Sequence, residues 1–230
     1  MKPGGRGTLY VVATPIGNLG DITHRALKVL GSCDLIISED TRTTRLLLGE
    51  YAVKTPVSSY YSPRERFLAG KYIEKLNEGA DVALVSERGT PCISDPGFEI
   101  VRRAHEEGIT VVPVPGPSAL PAALSASGLS CKEVFFSGFL PRKKGARRRF
   151  LEKHLNQGYT LVFYDSKYRI VETMSFVAEI TPGLTVCLCR EMTKKFEELI
   201  RGSSLEVYEK IRQRTSVKGE FTVVCSPSET

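Results

Sequence analysis

Five short runs in the first half of the chain are near-continuously apolar apart from Ser58 and Ser59: Leu9 to Ala13, Leu35 to Ser38, Val57 to Tyr60, Val82 to Ser86 and Val111 to Val114. A strand sends successive side chains to opposite faces, so uniform apolarity means that both faces are covered. Between the runs come Gly/Pro/Ser loops and helix-period patterns that end in Gly. Asp21 reads as the cap of a helix with Ile22, Ala26, Val29 and Leu30 on one face. Another helix runs from about Pro63, with Pro in its first turn, to Gly79. This strand, loop and helix rhythm predicts an α/β fold whose sheet is mostly parallel and sandwiched between helices.

The rhythm changes from Val134. Val134 to Phe139, Leu161 to Tyr164, Leu184 to Arg190 and Phe221 to Cys225 read as strands, with a further pairing segment near Glu198 to Arg201. Helices are expected near Arg147 to Leu155, Tyr168 to Ile180 and Ser204 to Arg214. Several strands follow one another closely, which indicates a mixed sheet. The division falls after Pro117, beside a helix from Ala119 to Ser127. That gives an N-terminal α/β domain over 1–117 and a C-terminal α/β domain over 118–230.

At 230 residues, 41% hydrophobic and 25% charged, the chain has the balance of a globular protein with room for two cores. Its apolar runs are strand-sized, too short to cross a bilayer, and no basic segment leading into an apolar stretch opens it. A cytoplasmic protein with no membrane contact is expected. Cys33, Cys92, Cys131, Cys187, Cys189 and Cys225 form no CxxC pair and no ligand spacing with His24, His105 or His154, so neither a metal nor a structural disulfide is expected. Cys187 and Cys189 alternate within an apolar segment and read as core thiols on one strand face. The net charge of +6 is unevenly placed: residues 1–115 hold 14 Lys/Arg against 14 Asp/Glu, and residues 116–230 hold 18 against 12. A polyanionic partner met by the second half is favoured over solubility alone.

Three Gly/Pro loops follow first-domain strands: Thr14 to Asn18, Ser86 to Gly97, and Pro113 to Ser118. Open α/β sheets bind ligands outside the carboxyl ends of their strands, and Gly lets a backbone approach such a ligand closely. The middle loop has 12 residues, about double the usual connection. Nothing matches Walker A or GxGxxG. In the second half, Pro141 to Phe150 places six cations in eight positions, with Gly145 as a flexible point and Phe139 and Phe150 beside it. A cationic loop of this kind suits the phosphates and unstacked bases of single-stranded RNA. Arg190, Lys194 and Lys195 extend that surface. The segments Arg190 to Glu198 and Ser38 to Arg42 both follow strand ends, where ligand-facing groups gather; for the first, a surface salt-bridge ladder is the alternative.

Taken together, the motifs resemble one family. They are Leu9-Tyr10-Val11-Val12-Ala13-Thr14-Pro15-Ile16-Gly17-Asn18-Leu19 with Asp21-Ile22-Thr23, Glu39-Asp40-Thr41-Arg42, Gly89-Thr90-Pro91, Ile93-Ser94-Asp95-Pro96-Gly97 and Pro115-Gly116-Pro117-Ser118-Ala119. In the second half they are Gly138-Phe139-Leu140-Pro141-Arg142-Lys143, Arg190-Glu191-Met192-Thr193-Lys194-Lys195-Phe196-Glu197-Glu198 and Lys218-Gly219-Glu220-Phe221. In this order over nearly the whole chain they resemble the RsmI-type ribosomal RNA small-subunit methyltransferase I family, which has the tetrapyrrole-methylase fold. The resemblance implies two α/β domains with S-adenosylmethionine in a cleft between them, usually in a homodimer. By position it implies cofactor contacts from Pro15, Ile16, Gly89, Thr90, Ile93, Ser94, Ser118 and Ala119, and from Tyr164, Met192 and Gly219.

The implied reaction is 2′-O-methylation of a cytidine in the decoding region of 16S rRNA in the small ribosomal subunit. A ribose hydroxyl is a poor nucleophile at neutral pH, which makes Glu191, Asp40, Lys194 and Arg42 the candidates to ease its deprotonation. Arg142, Lys143, Lys144, Arg147, Arg148, Arg149 and Lys195 are the expected RNA contacts. Ser86-Glu87-Arg88 stands where the family pattern has Ser-Asp-Ala, and Cys92 where it has Gly. Ser62-Pro63-Arg64-Glu65 and Asp165-Ser166-Lys167-Tyr168-Arg169 also depart from it, and many relatives continue past the final strand. Two other readings keep the fold: a methyltransferase acting on a tetrapyrrole, and a non-catalytic RNA-binding assembly factor.

Overall fold

Each run becomes a strand, and the computed structural model, which describes residues 5–61 and 64–227, shows why the inner ones are apolar throughout. The chain divides into two compact units, Met1–Ser118 and Ala119–Thr230. In the first, β1 (Thr8–Val12), β2 (Leu35–Ser38), β3 (Val57–Ser59), β4 (Val82–Val85) and β5 (Thr110–Val114) are all parallel, in the order β3-β2-β4-β1-β5. Helices α1 (His24–Ser32), α2 (Thr41–Glu50), α3 (Glu65–Asn77) and α4 (Phe98–Glu106) connect them. Adjacent residues of one strand serve different cores. Ile36 and Val85 pack with Leu30 and Leu48 of α1 and α2 on one face, while Ile37 and Leu84 pack with Leu68, Leu76 and Ile100 of α3 and α4 on the other. Because every strand runs the same way, all five carboxyl ends open along one edge.

Helix starts differ from the expectation in two places. Asp21 does not cap α1; it closes a 3₁₀ turn over Leu19–Asp21, and the α1 cap is Thr23, whose hydroxyl accepts from the Ala26 N–H at 3.0 Å. Thr23 stands three residues before that amide, which is the reach an N-cap needs. The expected start near Pro63 lies outside the described residues. Helix α2, which the sequence pattern does not single out, is capped by Asp40, whose carboxylate accepts from Arg42 N at 2.8 Å and Thr43 N at 3.4 Å.

The second unit holds α5 (Ala119–Ser127), β6 (Val134–Phe139), α6 (Lys144–His154), β7 (Thr160–Ser166), α7 (Ile170–Ile180), β8 (Thr185–Arg190), β9 (Glu198–Ser203), α8 (Ser204–Arg212) and β10 (Glu220–Ser226). The sheet order is β6-β7-β10-β8-β9, with β6 parallel to β7 and the other pairs antiparallel, the mixed sheet that the close spacing of strands predicts. One face carries the main core, where Leu151, Phe163, Met174, Val177, Leu188 and Val223 meet. On the other face, Val162, Cys187, Cys189 and Val224 pack under Ala123 of α5. Cys187 and Cys189 are buried free thiols with sulfurs 3.8 Å apart, core residues as their alternation indicates.

The basic run is a loop only over residues 141–143, and the helix expected near Arg147 to Leu155 starts three residues earlier. From Lys144 onward it is α6, and Gly145 lies in the first turn of that helix rather than at a flexible point. Phe150 is half-buried, packed with Phe135 and His154 at centroid distances of 6.4 and 4.3 Å, so it is not a free aromatic beside the cations.

Candidate functional site

At the carboxyl edge of the first sheet the loops are tied to one another by backbone. Thr14 and Gly89 exchange hydrogen bonds, N to O at 2.8 and 3.0 Å, forming an isolated bridge between the first and second loops. The Thr90 hydroxyl reaches Pro117 O of the third loop at 3.2 Å, and Ala13 N donates to Val114 O at 3.2 Å. Pro15 and Ile16 are buried in this junction. Gly89 has φ of +80°, and a Cβ there would lie 3.3 Å from Ile16 Cγ2, so a side chain at this position strains the backbone and crowds its neighbour. Ile93 and Ser94 are exposed on the long loop, with Ser94 at φ of +71° and Cys92 at +68°. Ser118 closes the first unit and Ala119 opens α5, both half-buried.

The long loop is anchored from α3. Glu65 accepts from Gly97 N at 2.9 Å and Glu99 N at 3.1 Å with the same oxygen, which caps α4 in trans because Gly97 has no side chain to do so. Near the loop, Glu39, Glu87 and Asp95 lie within electrostatic reach of one another. Burial, then the Glu39 and Glu87 carboxylates, push Asp95 up to about 6. Glu39 is likewise raised, by burial and then by Glu87 and Asp40. Two of these carboxylates sit on different strand ends, so only the sheet order brings them together, and residue spacing gives no sign of them.

In the second unit the candidates converge where β8 ends and β10 begins, since Arg190 pairs with Phe221. Glu191 adopts φ of +49°, and its Oε1 accepts from Lys194 Nζ at 2.9 Å and from Glu220 N at 3.0 Å. Burial raises the Glu191 carboxyl, but Lys194, the Glu220 amide and Arg190 outweigh it and hold the group below the ordinary carboxylate range. Lys194 also meets the Glu220 carboxylate at 2.7 Å. Gly219 has φ of +114° and a Cβ there would lie 2.5 Å from Glu191 Cγ, so the glycine makes room for the Glu191 side chain. Met192 packs against the small core beneath α5, and Tyr164, two positions before the end of β7, meets Phe136 and Phe139 edge-on at 5.0 and 5.6 Å. The segment is therefore more than a surface ladder: its ion pairs are partly buried around one strained backbone turn. Of the first-unit candidates, Asp40 spends its carboxylate on the α2 cap and Arg42 is exposed beside it, 3.5 Å away.

The expected RNA cations separate into three groups. Arg142, Lys143, Arg149 and Lys195 are exposed and, among the described residues, lack a carboxylate partner. Lys144 pairs with Glu172 at 2.8 Å, and Arg148 pairs with Glu152 at 3.0 Å and Glu179 at 2.7 Å. Arg147 is excluded as a phosphate contact. It is 1% exposed, pairs with Glu172 and points its guanidinium back at Pro141 O and Arg142 O, 3.5 and 3.3 Å away. Lys143, at the N-cap of α6, makes no side-chain cap, so the amides of the first turn stay open to an anion.

Among the described residues no cluster of three or more His, Cys, Asp or Glu is arranged to hold a metal ion, and no helix is long and apolar enough to cross a membrane. The family model for tetrapyrrole (corrin/porphyrin) methylases matches residues 8–207. The chain is 44% identical over 219 residues to the ribosomal RNA small subunit methyltransferase I of Halalkalibacterium halodurans, covering 95% of this chain and 75% of that one. It is 42% identical to the protein of the same name from Hydrogenobaculum, covering 96% of each, and 43% identical to that of Bacillus subtilis, covering 96% and 76%. Among solved structures, a conserved hypothetical protein from Aeropyrum pernix superposes with a TM-score of 0.72 at 19% identity, covering 98% of this chain and 86% of that one. A cobalt precorrin-4 methyltransferase superposes with a TM-score of 0.66 at 18% identity, covering 95% and 94%. At such identities the structures establish the fold alone.

Proposed function

The chain belongs to the tetrapyrrole methylases and, within them, to the ribosomal RNA small subunit methyltransferase I family, and from that membership we propose that it methylates a ribose 2′-hydroxyl of a 16S rRNA cytidine with S-adenosylmethionine. What carries the reading is 42–44% identity over at least 95% of the chain to proteins named for methylation of small-subunit rRNA. We also propose the finer picture of a cytoplasmic homodimer that needs no metal.

The first-unit loops suit the cofactor. Their walls are backbone and small side chains held together by the Thr14–Gly89 bridge, and the carboxylates of Glu39, Glu87 and Asp95 suit a ligand with two positive centres and ribose hydroxyls. When bound, the cofactor supplies an electrophilic methyl group. Everything else in the step is positioning and proton management by the chain. Glu191, ionised at neutral pH, accepts the hydroxyl proton, and Lys194 steadies the negative charge that develops on the ribose oxygen. Asp40 holds the start of α2 and so presents Arg42 to the substrate backbone. Arg142, Lys143 and Arg149 bind phosphates.

The test is transfer of labelled methyl to small subunits lacking the modification, rebuilt with ribo- or 2′-deoxycytidine at the target. The 2′-hydroxyl is the acceptor, so the deoxy substrate binds and takes no label. Label on the deoxy substrate places the methyl on the base, and label only on a porphyrinoid precursor moves the activity to a tetrapyrrole. In the cofactor arm, Gly89→Val lowers S-adenosylmethionine affinity about tenfold or more in calorimetry, since it distorts the φ of +80° and pushes Ile16. Unchanged heats remove Gly89 from the cofactor loop.

A further inference from the structure

Three large aromatic rings stand in solvent along one end of the second sheet. Phe139 (58% exposed) ends β6, Tyr168 (84%) follows β7, and Phe196 (64%) lies in the connection from β8 to β9. The register places them on the same rim. Phe139 is opposite Tyr164 on β7, Asp165 is opposite Phe221 on β10, Phe221 is opposite Arg190 on β8, and Arg190 is opposite Glu198 on β9. Five strands at roughly 4.8 Å spacing make that rim on the order of 19 Å wide.

Cations accompany the rings. Lys167 Nζ lies 4.9 Å from the Tyr168 ring centre and Lys195 Nζ 5.7 Å from that of Phe196. Arg142 and Lys143 follow Phe139 by a few residues and are exposed. Tyr168 and Phe196 therefore each combine a solvent-exposed ring with a cation over one of its faces.

We propose that this rim is a stacking platform for the bases of a single-stranded RNA segment, with Tyr168 and Phe196 each taking a base and the neighbouring lysines the adjoining phosphates. The proposal rests on the rRNA substrate inferred above and adds how the strand is held. An A-form duplex hides its base faces and offers only edges and phosphates, so rings with open faces select unpaired nucleotides. Rings spread across a rim of this width, rather than at the roughly 3.4 Å rise of a continuous stack, fit a strand whose bases are splayed apart. Stacking needs no edge contacts, so the platform tolerates sequence.

The experiment uses the full chain, a short labelled single-stranded RNA carrying 2-aminopurine, its duplex form, and isolated small subunits. Tyr168→Ala and Phe196→Ala each weaken single-strand binding by about tenfold and relieve the quenching of 2-aminopurine, while the slope of affinity against salt stays as in the parent. Tyr168→Phe keeps the ring and restores binding. Duplex affinity and cofactor heats do not change. Alanine variants that bind as tightly as a parent that itself binds RNA overturn the platform and leave the rRNA reading intact. A parent that binds neither the single strand nor the small subunits overturns both.

Discussion

Arg147 lies in the densest run of positive charge in the chain, yet its side chain is buried against Glu172 and the carbonyls of Pro141 and Arg142. Among the described residues its Nε has no hydrogen-bond partner, and Phe176 lies 5.9 Å from its guanidinium. A buried cation with one unsatisfied group is tolerated only where its other bonds fix something, and here they fix the segment that carries Arg142 and Lys143. Arg147→Ala is expected to destabilise the chain by about 2 kcal/mol in urea denaturation, because the buried side chain's packing is lost and two carbonyls lose donors, while Glu172 keeps Lys144. Arg147→Met, which keeps the volume, is expected to cost less. At Asp95 the sign is the reverse of the usual carboxylate. Its folded value, about 6, lies above the ordinary 3.8. As pH rises from about 4 to 6 the unfolded chain therefore releases a proton that the folded chain keeps, and stability falls across that window. Asp95→Asn should flatten the fall and raise the urea midpoint at neutral pH. Parallel pH profiles for the two proteins would remove Asp95 as its source.

At the scale of elements, helix starts carry the local information that strands do not need. Helix α8 begins with a complete capping box: Ser203 Oγ accepts from Glu206 N at 3.2 Å, and the Glu206 carboxylate accepts from Ser203 N at 2.8 Å. Ser203→Ala is expected to lower stability by about 1 kcal/mol, read as a lower urea midpoint with the slope unchanged. The inner strands are legible in the sequence because burial on both faces leaves an unbroken apolar run, as in β4, and the edge strand β6 still has the bounds that its composition predicts. Helix α2 is not, since Thr41-Arg42-Thr43-Thr44-Arg45 is polar and its start depends on the Asp40 carboxylate. The start of α6 reads three residues late because Gly145 looks like a break, whereas the helix tolerates it in its first turn. The loops tied by the Thr14–Gly89 bridge are legible as Gly/Pro segments after strands. The Glu39, Glu87 and Asp95 cluster and the aromatic rim are not, because sheet order, a non-local property, assembles both.

For the whole molecule, the question is whether the positive excess of the second half is a site or only a solvated surface. Net charge alone attracts any polyanion weakly, and all cations then contribute alike. A phosphate site instead depends on the cations that are exposed and not already neutralised. Arg142, Lys143 and Arg149 meet that condition, whereas Lys144 and Arg148 are paired with Glu172, Glu152 and Glu179. Replacing Arg142, Lys143 and Arg149 by Gln should therefore flatten the plot of log affinity against log salt by about 0.7 for each phosphate no longer bound. Replacing Lys28, Arg45 and Lys54, three exposed cations of the first unit, changes the net charge equally and should leave that slope in place. The measurement is a salt titration of small-subunit binding for the parent and the two triple variants, with cofactor heats as a check that each remains folded. Equal flattening by both sets would reduce the basic second unit to bulk charge and withdraw it as the RNA-facing surface. Flattening confined to the first set places the phosphates on the segment that Arg147 anchors from within.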